Sequence, residues 1–162
     1  MFNHRPDTYK HFKQFIALTD KFWETRQDFK VWVPLLEKSN RDYVITDKGN
    51  KQWYYNRLKD CCVGFSPKQT YGGWSVATTD GMMNGVPYIM YRAPYNKELN
   101  SNADCFTTDD EALILLNMYL DTPVRNVRAR ESLEHLHNNL IYNDKLIEMN
   151  DYMNELLSEQ KV

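Results

Sequence analysis

Short runs of branched and aromatic residues alternate with amphipathic segments along nearly the whole chain, and this alternation constrains the fold more than any other feature. Strands that lie parallel to their predecessors need a crossover, and a helix supplies one. Residues 7–26 carry Phe12, Phe15, Ile16, Phe22 and Trp23 at three- and four-residue spacing, the pattern of an amphipathic helix with Pro6 and Asp7 suiting its first turn. Residues 29–35 follow as a strand, 42–46 as a weaker one, 51–60 as a short helix and 61–65 as a buried strand ended by Ser66-Pro67. A helix at 75–84, a strand at 87–91, a helical turn at 94–99 and a short strand at 104–106 come next. Thr107-Thr108-Asp109-Asp110-Glu111 then sets a hydroxyl cap and first-turn acids ahead of a helix carrying Ala112, Leu115, Leu116 and Tyr119 on one face. Pro123 opens another helix, with Leu133, Leu136 and Leu140 pointing one way. Leu146, Met149, Met153 and Leu156 mark a last one within 144–160. A chain of 162 residues has room for one domain with a respectable core. The order of elements predicts a single α/β domain over 1–162 whose mostly parallel sheet is covered on both faces.

The stretch from Tyr71 to Ile89 carries the most chemistry. Gly72-Gly73 precede a helix with Asp80 near its middle, and Gly85-Val86-Pro87 turns into an apolar strand. Paired glycines let backbone amides approach a ligand closely, and a helix N-terminus favours an anion such as a diphosphate. A carboxylate further along the helix is placed to accept hydrogen bonds from sugar hydroxyls. In a doubly wound sheet ligands bind at the carboxyl ends of the strands. The loops at 3–10, 66–75 and 92–99 meet that description. Arg5 and Lys10 stand just after the expected first strand, across the sheet from the glycine loop, where two cations would neutralise a diphosphate. The plainer reading of both is that of solvated loop charges.

Composition narrows the classes. A net charge of −2 with interspersed signs gives no nucleic-acid footprint and no basic membrane-binding face. No apolar run is long enough to span a bilayer, and Met1-Phe2-Asn3-His4-Arg5 does not read as a signal peptide. Three cysteines, with Cys61 and Cys62 adjacent, point to reduced thiols and a cytoplasmic setting, the adjacent pair being read as small buried core residues. His135 and His137 lie two apart on a helix and face different ways, and Asp109-Asp110 reads as a pair of capping acids, so no metal site is expected. Trp53, Tyr54 and Tyr55 are read as packing residues, one of them a candidate stacking platform for a base.

Taken together, these segments resemble the C-terminal half of a GT-B glycosyltransferase of the large retaining group, family 4 type. That half commonly opens with a strand, Gly-Arg, a short loop and Glu-Lys-Gly; His4-Arg5-Pro6-Asp7-Thr8-Tyr9-Lys10 keeps the interval from Arg to Lys. The family hallmark, similar to Glu-Gly-Phe-Gly, three apolar residues and Glu-Ala-Met-Ala-Cys-Gly-x-Pro-Val, has its counterpart in residues 72–88. Pro94-Tyr95-Asn96-Lys97-Glu98-Leu99, Asp109 to Leu113 and Val124-Arg125-Asn126-Val127-Arg128 resemble the later family segments in order. The likeness runs from Asn3 to about Leu140 and rests on order and spacing rather than on any one motif.

The resemblance implies a Rossmann-like three-layer α/β/α sandwich that binds a nucleotide-diphosphate sugar and transfers the sugar with retention, without a metal or other cofactor. It assigns Arg5 and Lys10 to the diphosphate as the catalytic groups, with Gly72, Gly73, Trp74 and Ser75 at the donor and Asp80 at the ribose. Gly72 stands where the family carries a glutamate on the transferred sugar, so His4, Gln69 and Tyr71 become candidate sugar contacts. The acceptor is unidentified. Its binding half is expected from an N-terminal domain outside this chain or from a partner chain, with 144–160 as a helix that packs on it or joins copies into a homo-oligomer. The alternative is a non-catalytic nucleotide-binding module, which Gly72 favours. A dinucleotide-binding domain is disfavoured because Gly-x-Gly-x-x-Gly is absent.

Overall fold

The computed structural model describes residues 1–71, 73, 75–99, 103–120, 123–139, 147 and 149–152. Its elements run α1 (Phe12–Thr25), β1 (Val31–Trp32), β2 (Val44–Ile45), α2 (Lys51–Leu58), β3 (Gly64–Ser66), α3 (Val76–Met83), β4 (Tyr88–Tyr91), α4 (Pro94–Leu99), β5 (Asp104–Phe106), α5 (Asp109–Leu120) and α6 (Pro123–Asn139). All strand pairs are parallel. Val31 faces Val44 in β1–β2, and β3, β4 and β5 pair in that order with Phe65 opposite Ile89 and Ile89 opposite Asp104. Residues 1–3 join the two sheets. Met1 donates to the Val63 carbonyl (2.5 Å) and accepts from the Phe65 amide (3.1 Å), the slanted pattern of a parallel pair, while the Phe2 amide donates to the Trp32 carbonyl (2.9 Å).

Two apolar clusters form around these strands. Phe15 and Phe22 of α1 pack with Phe2, Val31, Phe65, Ile89, Phe106 and, from α5, Leu116 and Tyr119. Met82 of α3 packs with Val86, Tyr88, Met90, Leu99 and Leu136 of α6. Strand β4 sends Ile89 to the first cluster and its neighbours Tyr88 and Met90 to the second, as alternating side chains on a strand buried on both faces must. The chain is therefore an α/β protein built on parallel strands.

Several boundaries differ from the sequence reading. Residues 8–10 form a separate 3-10 turn, because His11 takes a left-handed conformation (φ 49°, ψ 37°) that no α-helix can contain, so α1 starts at Phe12. Asp7 thus precedes this turn and makes no side-chain cap. Only Val31–Trp32 of the 29–35 run is paired. Cys62 is exposed and Cys61 half-buried, against the expected core role, since they sit in the turn between α2 and β3 before the strand enters the sheet. The cap of α5 is as expected. Glu111 accepts from the amides of Thr107 (2.6 Å) and Thr108 (3.2 Å), while its own amide donates to the Thr108 hydroxyl (3.2 Å), a capping box. Gly72, Trp74, Leu140, Leu146, Met153 and Leu156 lie outside the described residues. Of the last expected helix, Ile147, Met149 and Tyr152 are exposed. Among the described residues no helix is long and apolar enough to cross a membrane.

Tyr88 ties the α3 face together. A Cβ on Gly64 or on Gly81 would overlap its ring, so these two glycines let β3 and α3 close over it. Its hydroxyl donates to Asn3 Oδ1 (3.0 Å) and lies 3.2 Å from the Ala77 carbonyl, in a fully buried setting. Tyr88→Phe should leave the Asn3 oxygen unpaired and destabilise the fold by about 1–3 kcal/mol. Urea denaturation checks this; an unchanged midpoint would mean that the bond does not matter.

Candidate functional site

The carboxyl end of the sheet is organised by two consecutive side chains that follow the first extended segment. Asn3, 3% exposed, donates through Nδ2 to the Ala77 carbonyl (2.6 Å) and to the Tyr54 hydroxyl (3.1 Å). With Oδ1 taken by Tyr88, its amide is satisfied and α3 is held against both α2 and the strand end. His4, 2% exposed, has Nε2 at 3.0 Å from the Phe65 carbonyl and Nδ1 at 3.0 Å from Ser75 Oγ. A carbonyl only accepts, so Nε2 carries the proton and Nδ1 accepts from the serine hydroxyl. Burial, reinforced by the Lys10 charge, pushes the His4 pKa down to about 3. The ring is neutral and both nitrogens are occupied, so His4 is a packing residue and offers nothing to a sugar.

The His4 bond shapes the start of α3. Ser75 is the N-cap residue, yet its hydroxyl makes no capping bond to the helix because it donates to His4. The leading amides of α3 thus lack the side-chain oxygen that a serine there usually supplies. Gly73 just before it has φ 77°, and a Cβ at that position would meet nothing within 4 Å. Left-handed backbone beside open space suits close approach of a ligand.

Lys10 and Gln69 meet across this gap. Lys10 Nζ donates to Gln69 Oε1, and the Gln69 backbone amide is fixed by the Tyr95 hydroxyl (3.1 Å). The ammonium needs an acceptor, which sets the orientation of the glutamine amide and turns Nε2 the other way. Gln69 is only 8% exposed, and Nε2 is buried without a partner. Burial first, and then the neighbouring Arg5, pulls the Lys10 pKa below its ordinary value, with Asp7 opposing. Among the described residues no carboxylate lies within 4.0 Å of Arg5 or Lys10. Tyr71 is exposed and its ring stands 6.2 Å from that of Tyr9.

Asp80 lies further along the same helix, about 7.5 Å from Ser75 at 1.5 Å per residue. It lines an open cleft of about 400 Å³ together with Asn3, Leu35, Lys51, Trp53 and Ala77. Burial raises the Asp80 pKa, and Lys51 works against that rise. Trp53 is braced against Gly49, where a Cβ would come within 2.6 Å of the ring, and stands edge-on to Trp32 at 5.9 Å. Asn50 caps α2 by accepting from the Trp53 amide (2.9 Å), which fixes the first turn that carries Trp53. The sequence points to Asp80 but not to Lys51, at the start of α2, or Leu35, in the loop after β1, which reach the cleft only through strand order.

Another cavity, of about 280 Å³, lies at the amino ends of the strands among core side chains such as Phe22, Phe29 and Trp32. On its rim Arg57 pairs with Asp60 at 3.3 Å, although Arg57 Nε is buried without a hydrogen-bond partner. At the carboxyl end Lys10 and Arg5, neither with a carboxylate within 4.0 Å among the described residues, and the unpartnered Gln69 amide come together where the strands end, and that is the candidate site. No protein-family model matches the chain, and no curated protein matches its sequence significantly.

The buried neutral His4 makes a pH prediction. Unfolded, the ring takes its proton near 6.5, whereas in the fold it resists until about pH 3. The unfolded state binds more protons across that interval, so stability is full above 6.5 and falls with decreasing pH, by up to about 1.4 kcal/mol per unit. His4→Gln should show a shallower loss between pH 6.5 and 4 in denaturant titrations. An identical slope would contradict the buried-neutral assignment.

Proposed function

We propose that this chain binds a nucleotide-diphosphate sugar at the carboxyl end of a Rossmann-like three-layer sheet, as the donor-binding domain of a GT-B-type glycosyltransferase. The hydrogen bonds of residues 1–3 support one continuous sheet, ordered β2, β1, the 1–3 segment, β3, β4, β5. Numbered along the chain that order is 3-2-1-4-5-6, the doubly wound arrangement, whose ligand site falls where the order reverses. The reversal lies between residues 1–3 and β3, and the loops leaving those two segments carry Arg5, Lys10 and Gln69. The two apolar clusters on opposite sides of β4 support the three layers.

The observation that carries the reading is the unpartnered Gln69 Nε2 beside two cations that have no carboxylate within 4.0 Å among the described residues. A buried amide N–H without an acceptor costs about 1–3 kcal/mol, and an anionic oxygen placed there removes the penalty. Lys10, Arg5, Gln69 Nε2 and the leading amides of α3 hold the diphosphate. Asp80 accepts from the ribose hydroxyls, and Trp53 walls the base. Charge that develops on a departing diphosphate falls on the same groups, which is the main catalytic service such a site renders. Gly72 bears no side chain to supply the family's carboxylate, and this favours a second reading in which the domain binds nucleotide without transfer.

A thermal-shift panel of UDP, GDP, ADP and their sugar conjugates tests the site. One nucleotide series should raise the melting temperature, with about 2.7 kcal/mol of stabilisation at a hundredfold excess over Kd. Lys10→Ala and Arg5→Ala should abolish the shift. No shift with any nucleotide would refute the proposal. Asp80→Asn should weaken the same binding while stabilising the ligand-free fold by a few tenths of a kcal/mol. The raised pKa means that the ionised form opposes folding at neutral pH, and solvent screening keeps the effect small. Loss of both stability and binding would instead mark Asp80 as a structural residue.

A further inference from the structure

A third cavity, of about 260 Å³, opens at the carboxyl ends of β3, β4 and β5 among the first turns of α1 and α5. Its floor is aromatic, from Phe65, Phe106 and the half-buried Tyr91, and its rim is polar, from His11, Gln14, Lys68 and Asp109. Lys68 stands over the Tyr91 ring at 5.6 Å and has no carboxylate within 4.0 Å among the described residues. Asp109 Oδ1 accepts from Gln14 Nε2 at 3.3 Å, while Oδ2 has no described partner. His11 lines this cavity in the left-handed conformation, alone in this among the described non-glycine residues. Its Nε2 is 3.4 Å from the Thr70 hydroxyl. Backbone strain of this kind persists where the surroundings demand a particular side-chain placement.

We infer that this cavity receives the sugar ring of the donor, with Asp109 and Gln14 binding its hydroxyls. The inference rests on the nucleotide reading above. A nucleotide sugar has its diphosphate in the middle, the nucleoside on one side and the sugar on the other. The Asp80–Trp53 cleft is lined from α2 and α3, whereas this cavity is lined from α1, α5 and the loop after β3. Two of its rim residues are the chain neighbours of the diphosphate groups, since His11 follows Lys10 and Lys68 precedes Gln69.

The chemistry of the rim chooses the ligand class. Asp109 would oppose an anion and Lys68 a cation, but a sugar hydroxyl both donates and accepts and so uses both. The aromatic floor suits the apolar face of a pyranose ring. The volume lies just below the roughly 300–1,000 Å³ of pockets for drug-sized ligands, which fits a single ring rather than an oligosaccharide. Asp109 then supplies from α5 the carboxylate that Gly72 lacks, and sugar selection moves to a different element of the fold.

Isothermal titration of each nucleoside diphosphate against its sugar conjugate (UDP and UDP-glucose, GDP and GDP-mannose, ADP and ADP-glucose) separates the two sites. Asp109→Asn and Gln14→Ala should each weaken the bound conjugate about tenfold while leaving the plain diphosphate within about twofold. Asp110→Asn, altering the neighbouring exposed acid that pairs with Lys21 at 2.9 Å, should change neither. Gln14 is exposed, so its variant keeps the test valid should Asp109→Asn disturb the start of α5. Unchanged conjugate affinity in both variants, or equal losses for diphosphate and conjugate, would overturn the sugar site while leaving the nucleotide site standing. Failure of every diphosphate and conjugate to bind the wild-type chain would overturn both.

Discussion

The carboxyl end of the sheet depends on the burial of Asn3 and His4, two polar side chains that can stay inside only while every hydrogen-bonding group they carry is matched. Asn3 reaches Ala77, Tyr54 and Tyr88, and His4 reaches Phe65 and Ser75. These contacts cross more than 50 residues of sequence each, so a lost partner leaves a buried polar group orphaned rather than loosening one turn. Through them the first extended segment, β3, β4, α2 and α3 are fixed to one another. One consequence reaches the site directly: the Ser75 hydroxyl serves His4, and the first amides of α3 are left for something else.

Elsewhere the protein matches its charges with care. Arg41 holds Asp20 through two bonds (2.6 and 2.7 Å) under the Tyr43 hydroxyl. Arg128 bridges Asp104 and Glu131, and Tyr119 donates to the same Asp104 at 2.8 Å. At the carboxyl end of the sheet the partly buried Lys10, the unpartnered Gln69 amide and the partly desolvated Asp80 each carry a cost of burial, with the exposed Arg5 beside Lys10. Groups of that kind gather where a ligand supplies what the fold withholds. The nucleotide reading rests on Lys10, Gln69 Nε2 and Asp80 lying at the end of the sheet where the strand order reverses, rather than on concavity alone.

Local features of the fold were readable from the sequence, whereas features made by distant partners were not. Thr107 to Glu111 announced the α5 cap because a capping box is complete within five residues. The strand at 104–106 and the helix at 94–99 appeared where the apolar and proline signals put them. The start of α1 was misplaced because the left-handed turn at His11 leaves no compositional mark, whereas a glycine there would have. The position of Asp80 on the helix that follows the glycine loop is legible because both lie in one local segment. The sequence leaves His4 open between a ligand contact and a packed histidine, because its acceptor, the Phe65 carbonyl, is 61 residues away and only the sheet brings it near. Lys51 and Trp53 could not be assigned to the cleft until β1 and β2 had been placed beside residues 1–3.

The side-chain amide of Gln69 reports most directly on whether an anion completes this site. In a 15N-labelled sample its NH2 resonances can be identified by their loss in Gln69→Glu and then followed during titration with the nucleoside diphosphate. The account predicts a large downfield proton shift for one of the two Nε2 hydrogens as it gains a phosphate oxygen, absent in Lys10→Ala. Saturating nucleotide that moves other resonances but leaves the Gln69 pair in place would contradict it.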